Sequence, residues 1–271
     1  MTEQFDADWL SLREPADHRA RAASDLSGLA QYCPRHRATR VLDLGSGTGS
    51  NLHYLAARLP AHEQEWVLFD HDPELLNRAE RRVQATQWAG PAITVQYQQG
   101  DLAQFQTYPA AIDIITASAL LDLVSAAWID GLVDYARQQN AAVLLALSYD
   151  GRIAFTPQDP DDSHVRAWVN QHQRGPKDMG AALGPEAWLR ASEAFARAGY
   201  TVETPATDWQ LDHRDTALQR ATIAGWHAAA HEVMPSEAER LSRWQQRRID
   251  ALGHSTLSVG HRDVLALPCR D

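Results

Sequence analysis

Residues 41–51 read VLDLGSGTGSN. The first four, Val41-Leu42-Asp43-Leu44, form the short apolar run of a buried strand, which breaks at Gly45-Ser46-Gly47-Thr48-Gly49 before a helical pattern begins near Asn51. The pattern is strand, tight turn, helix. Glycine lets the turn adopt positive φ and removes the Cβ atoms that would keep a ligand from the backbone, while the amides opening the next helix favour negative charge there. The turn is a candidate ligand cradle.

Working outward, strand-like Glu65 to Phe69 ends in Asp70, and Asp72-Pro73 opens a helix with a capping carboxylate followed by proline at the first helical position. A carboxylate at that tip suits ribose hydroxyls, in a dinucleotide site as much as elsewhere. A third strand, Ile93 to Tyr97, runs into Gln99-Gly100-Asp101-Leu102. A fourth, Ile112 to Ala117, runs into Ser118-Ala119-Leu120-Leu121-Asp122, and a fifth, Ala142 to Leu147, into Ser148-Tyr149. Strands alternating with helices imply a parallel sheet that binds ligands beyond its carboxyl ends. One edge would collect Asp43, Asp70, Asp101, Ser118, Asp122, Ser148 and Tyr149.

Taken together, VLDLGSGTGSN, VLFDHDPELL, QGDL and DIITASALLDLV resemble the class I S-adenosylmethionine-dependent methyltransferases. A dinucleotide fingerprint would need a glycine at 50, where this chain has Ser50. The resemblance implies an α/β fold, a doubly wound, seven-stranded, mostly parallel Rossmann-like sheet with an N-terminal helical lid and helical insertions. It implies S-adenosyl-L-methionine as cofactor and methyl transfer to a small-molecule acceptor. Gly45, Gly47 and Gly49 would pass close to the methionine portion, and Asp43 would hold the turn or reach the amino group. Asp70 would accept from the ribose hydroxyls, with Asp72 competing for that role or only capping its helix. Asp101 would accept from the adenine amino group beside Leu102, or only close a turn. Ser46, Asn51, His71 and Ser118 would complete the cofactor site. A protein that binds this cofactor without transferring a methyl group would have the same cradle, and a dinucleotide-dependent oxidoreductase is the remaining alternative.

The 271 residues, 44% of them hydrophobic, suffice for a full core in one α/β domain with insertions. The formal charge is -10 and Lys177 is the sole lysine, so a nucleic-acid partner is disfavoured. Cys33 and Cys269 have no metal-ligand spacing and suit reduced thiols in a cytoplasmic protein. The start MTEQFDADWL lacks a signal-peptide pattern, and no stretch is long and apolar enough for a membrane span.

The expected organisation is a helical lid at 1–37, a cofactor-binding core at 38–148, a substrate-cap insertion at 149–184, and a C-terminal part at 185–271 with a helical excursion about 214–252. In the lid, Pro15 is expected to start a second helix, and Arg13, Asp17, His18 and Arg21 either line a pocket or form a solvated face. The cap follows the fifth strand tip, where long loops carry specificity. Candidate bases or acceptor-orienting groups are Asp122, Tyr149 and His172, with Asp150 and His164 behind them. His227 and His231 are spaced i, i+4 but lack a nameable third ligand, so no metal is expected.

Overall fold

The computed structural model describes residues 6–107, 111–177 and 179–269. Residues 1–5 of the expected lid and Asp178 of the expected cap lie outside them. The chain runs α1 (Ala7–Ala20), β1 (Thr39–Leu44), α2 (Ser50–Leu55), β2 (Glu63–Asp70), α3 (Pro73–Ala85), β3 (Ala92–Gln99), β4 (Ile114–Ser118), α4 (Ala126–Gln139) and β5 (Ala142–Thr156). It continues with α5 (Asp162–Gln173), the short hairpin β6 (Pro176–Lys177) and β7 (Gly180–Ala181), α6 (Ala187–Arg197), β8 (Tyr200–Glu203), β9 (Trp209–Leu211), α7 (Thr216–Val233), α8 (Ala238–Asp250) and β10 (Thr256–Pro268).

One sheet of eight strands organises the molecule, in the order β3-β2-β1-β4-β5-β10-β8, with β9 on the far end of β10. β1 to β5 pair in parallel, and β10 is antiparallel to β5, β8 and β9. This is the expected architecture with one added short strand. Its central parallel strands are buried on both faces, as Val41, Leu42 and Leu44 of β1 show, whereas β3 at the edge is partly exposed. Truncating Leu42 to alanine would cost about 2–5 kcal/mol.

Local chemistry sets the helix ends. Asp72 accepts from Glu74 N at 2.8 Å and Leu75 N at 3.4 Å, Pro73 occupies the first turn, and Leu75, Leu76 and Ala79 turn inward. Ser125 caps α4, which presents Trp128, Leu132 and Tyr135 to the core and ends at Asn140 in the left-handed region.

Three differences from the sequence reading matter. α1 runs through Pro15 without a break. Proline removes one amide from the helix interior, but the helix packs against β9 and α7, and tertiary contact outweighs the local cost. α2 stops at Leu55, short of the Arg58 to which the spacing extends a helix from Asn51. β5 is a continuous strand of 15 residues, so Tyr149 and Asp150 lie within it and not just past its end at Leu147. Its second half, with β10, carries a separate cluster in which Ile153, Phe155, Val169, Trp209, Ile223 and Trp244 pack together. Among the described residues, no helix is long and apolar enough to cross a membrane.

Candidate active site

The glycine turn is tied to the second strand tip. Gly45 N and Ser46 N donate to Phe69 O at 2.9 and 3.2 Å, and Gly47 N donates to Asp70 Oδ2 at 2.8 Å. Asp70 Oδ1 accepts from Asp72 N at 3.0 Å, so the buried carboxylate is fixed by backbone on both sides. Gly47 has φ of 53°, and a Cβ there would lie 3.2 Å from Leu10 Cδ1 of α1, narrowing the space between turn and helix.

Beneath the turn lies a buried polar network. Asn51 Nδ2 donates to Asp43 Oδ1 at 2.9 Å and Thr116 Oγ1 at 3.0 Å, and Asn51 Oδ1 accepts from Arg21 Nη1 at 2.9 Å. Arg21, itself buried, lies over the Tyr54 ring at 4.2 Å and 4.0 Å from Asp263. Burial pushes the Asp43 carboxyl up to about 7, although the Asn51 hydrogen bond and Arg21 oppose the shift. Asp43 Oδ2 and Ser46 Oγ are buried without a hydrogen-bond partner in the protein. Orphaned buried acceptors of this kind call for an occupant.

These groups line a cleft of about 110 Å³ together with Leu10, Thr48, Leu75 and Leu120. Of the expected cofactor residues, Asp43, Gly45, Ser46, Gly47, Asn51, Asp70, His71, Leu102 and Ser118 are brought together there. Gly49 and Asp101 are not among the lining residues. Gly49 caps the start of α2 with φ of 79°, a left-handed conformation that favours glycine, while a Cβ there would make only ordinary contacts with Ala79 and Leu68 at 3.5 Å. Asp101 is exposed, and its Oδ1 accepts from Ala103 N at 2.8 Å. The preceding Gly100 lies against Phe69, where a Cβ would come within 2.5 Å of the ring.

A second, larger chamber of about 430 Å³ adjoins the first, and Arg13, Ala119 and Leu123 line both. Ala119 has φ of 53° and Leu147, in the chamber wall, φ of 55°. Non-glycine residues in this region cost on the order of 1–3 kcal/mol and concentrate at functional sites. Leu147 is held by donation from its N to Asp263 Oδ1 at 2.8 Å.

Asp122, Tyr149 and His172 all line this chamber. Tyr149 Oη donates to Asn170 Oδ1 at 2.7 Å, and burial, with the Asp150 and Asp122 carboxylates adding, holds its hydroxyl above the ordinary tyrosine range. His172 Nε2 lies 3.1 Å from Glu232 Oε2. Asp150, by contrast, is engaged with Arg152 in a pair at the strand edge, and His164 faces Arg240, Nδ1 to Nη2 at 3.0 Å.

Several chamber residues escaped the sequence reading. Trp9, Trp209 and Trp226 supply indole walls from α1, β9 and α7. Trp209 Nε1 donates to Asp17 Oδ1 at 2.8 Å, and Asp17 also receives Arg13 through contacts of 2.9 and 3.2 Å. His261 comes from β10, opposite Tyr149 in register, with pairing shifts on either side of it. Burial, with Arg13 adding, pushes its imidazole down to about 3, and its Nδ1 has no partner. The only local signal was Gly260, which cannot carry a Cβ because Asp150 Oδ1 would be 2.1 Å away. Bulges commonly re-aim side chains beside active sites, but a bulge is invisible in strand alternation. His227 and His231 stack at 6.3 Å, and among the described residues no three metal-ligating side chains gather.

Residues 41–139 match the family model described as a methyltransferase domain. None of the curated proteins matches the sequence. Among solved structures, the chain is similar to the cyclopropane synthase MmaA2 from Mycobacterium tuberculosis, at 13% identity over 97% of this chain and 94% of that one, with a TM-score of 0.50. It is also similar to the YcgJ protein from Bacillus subtilis, at 15% identity over 91% of this chain and 100% of that one, with a TM-score of 0.50. At these identities the likeness is one of fold.

Proposed function

We propose that this chain, whose residues 41–139 match the model of a methyltransferase domain, is an S-adenosylmethionine-dependent enzyme that methylates a small molecule held in the chamber lined by Tyr149 and His261. The observation that carries this reading is the shared wall of Arg13, Ala119 and Leu123 between the glycine cleft and the larger chamber. A donor in one and an acceptor in the other would meet there.

The cleft suits the cofactor on its own chemistry. Asp43 Oδ2 and Ser46 Oγ lack protein partners, Asp70 stands at the strand tip, and the Gly47 backbone is free of a Cβ. Asp43 would take the ammonium group, Asp70 and His71 the ribose side, and Leu102 with Leu75 the adenine flanks. Bound there, S-adenosylmethionine supplies an activated methyl group whose leaving group is a neutral thioether. The chain then has to orient the acceptor, exclude water and hold any proton the acceptor gives up. Tyr149 stays protonated and orients. Asp122 would receive any proton the acceptor gives up, and His172 would serve as part of the same wall. α1 contributes Leu10 and Arg13 to the cleft and acts as its lid, and residues 149–184 supply Tyr149, Val169, His172 and Lys177 as the substrate cap. The acidic balance of the chain supports a small-molecule acceptor over nucleic acid, and free Cys33 and Cys269 support a reducing, cytoplasmic setting.

Calorimetric titration with S-adenosylmethionine, S-adenosylhomocysteine and NAD tests the reading. Saturable heats are expected for the two sulfur compounds alone, weakened by on the order of 1–3 kcal/mol in Asp70→Ala as charged hydrogen bonds are lost. Binding of NAD alone would overturn it.

A further inference from the structure

The larger chamber has the wrong charge inventory for a charged acceptor. Arg13 is paired with Asp17 at 2.9 Å, His172 faces Glu232 at 3.1 Å, and neither Asp122 nor Lys177 is without a partner. A carboxylate or ammonium ion entering this space would have to compete with an existing interaction for its compensating charge, as with Asp17 for Arg13. The two titratable rings that face each other across the β5 and β10 strands, Tyr149 and His261, are both uncharged at neutral pH.

What the chamber does leave unmet is neutral. His261 Nδ1 and Thr222 Oγ1 are both buried without a hydrogen-bond partner, and both residues belong to the chamber wall. Thr222 is carried by α7, and His261 by the shifted register of β10. They sit among indoles: the Trp209 ring lies 5.1 Å from His261, and Trp9 and Trp226 line the same space. Indole faces favour flat, polarisable partners, and orphaned neutral polar groups in an apolar enclosure favour a ligand that carries matching hydrogen-bonding atoms.

We propose that the acceptor is an uncharged, planar aromatic or heteroaromatic compound bearing a hydroxyl or amino group, stacked by the indoles and read by His261 and Thr222 as specificity-determining residues. The inference rests on the chamber being the acceptor site. A site that hydrogen-bonds a ring substituent also rejects the bare ring, because its polar groups are then left unpaired.

The test uses the full chain saturated with S-adenosylhomocysteine and calorimetric titration with three probes: 2-naphthol, naphthalene and 2-naphthoate. 2-Naphthol is expected to bind at least tenfold more tightly than either of the others. His261→Phe and, independently, Thr222→Val are each expected to weaken 2-naphthol about tenfold while leaving naphthalene unchanged, and His261→Gln is expected to recover part of the loss. The two variants lie on different elements, so misfolding of one leaves the other to decide, and retained S-adenosylhomocysteine binding reports an intact core. Tighter binding of 2-naphthoate, no preference for 2-naphthol over naphthalene, or no binding of any probe would overturn the inference. Retained S-adenosylhomocysteine binding in those cases would leave the methyltransferase reading standing, whereas its absence would strike that reading itself.

Discussion

At the scale of single residues, Asp43 couples the site to pH. Its carboxyl is raised to about 7 by burial, so much of it is protonated in the free protein at neutral pH. An ammonium group beside it would favour the ionised form, so cofactor binding should tighten as pH rises from 6 to 8 and release a proton at the lower end. Calorimetry at pH 6 in two buffers of different ionisation enthalpy measures that proton, and Asp43→Asn should abolish the release. The same shift lowers stability of the free protein as pH rises from the ordinary carboxylate range through 7, since the fold prefers the protonated acid. His261 works in the opposite sense. Its folded value near 3 lies below the ordinary 6.5, so the stability it contributes is complete above 6.5 and is lost as pH falls toward 3. Between pH 7 and 5 the protein should lose about 2 kcal/mol more than His261→Gln, read from urea midpoints at each pH. Legibility divides along the same line. Asp43 and Asp70 stand at strand tips next to a glycine turn, a local pattern that sequence displays. His261 reaches its position through a register shift against β5, which depends on a partner strand over a hundred residues earlier in the chain.

At the scale of elements, the strands β1 to β5 and the helices between them followed from apolar runs and caps such as Asp72-Pro73. The continuity of α1 did not, because Pro15 is a start signal by itself and only the packing of α1 on β9 and α7 overrides it. Nor did Asp101 join the cleft, since its strand tip ends in a turn that occupies Oδ1. α8 depends on a buried pair. Arg248 is buried, makes a forked contact to Asp162 at the start of α5 and lies over Phe155 at 4.0 Å. Asp162→Ala would strand that guanidinium and should cost about 3–5 kcal/mol, visible as a lowered melting temperature. Cofactor affinity should stay unchanged, because neither residue lines the glycine cleft.

At the scale of the whole molecule, β5 and β10 run through every packed layer. Val143 and Val264 belong to one core cluster, Leu144 and Leu265 to a second, and Ile153 and Val259 to the third. Unfolding should therefore be a single transition, with fluorescence from Trp66, Trp226 and Trp244 coinciding with loss of helix by circular dichroism. S-adenosylhomocysteine at a hundredfold excess over its Kd should raise that transition as a unit, by about 2.7 kcal/mol. Two separated melts would show that the third cluster is an independent module. β10 also imposes an order on biosynthesis. It is made after β5, β8 and β9, the strands it joins, so a growing chain holds the complete glycine cleft while the 15-residue edge of β5 is still bare. During that interval a nascent chain has the parts to take up its cofactor but lacks the His261 wall of the larger chamber. It must also be shielded along β5, so the interval before β10 emerges from the ribosome is when chaperones matter most.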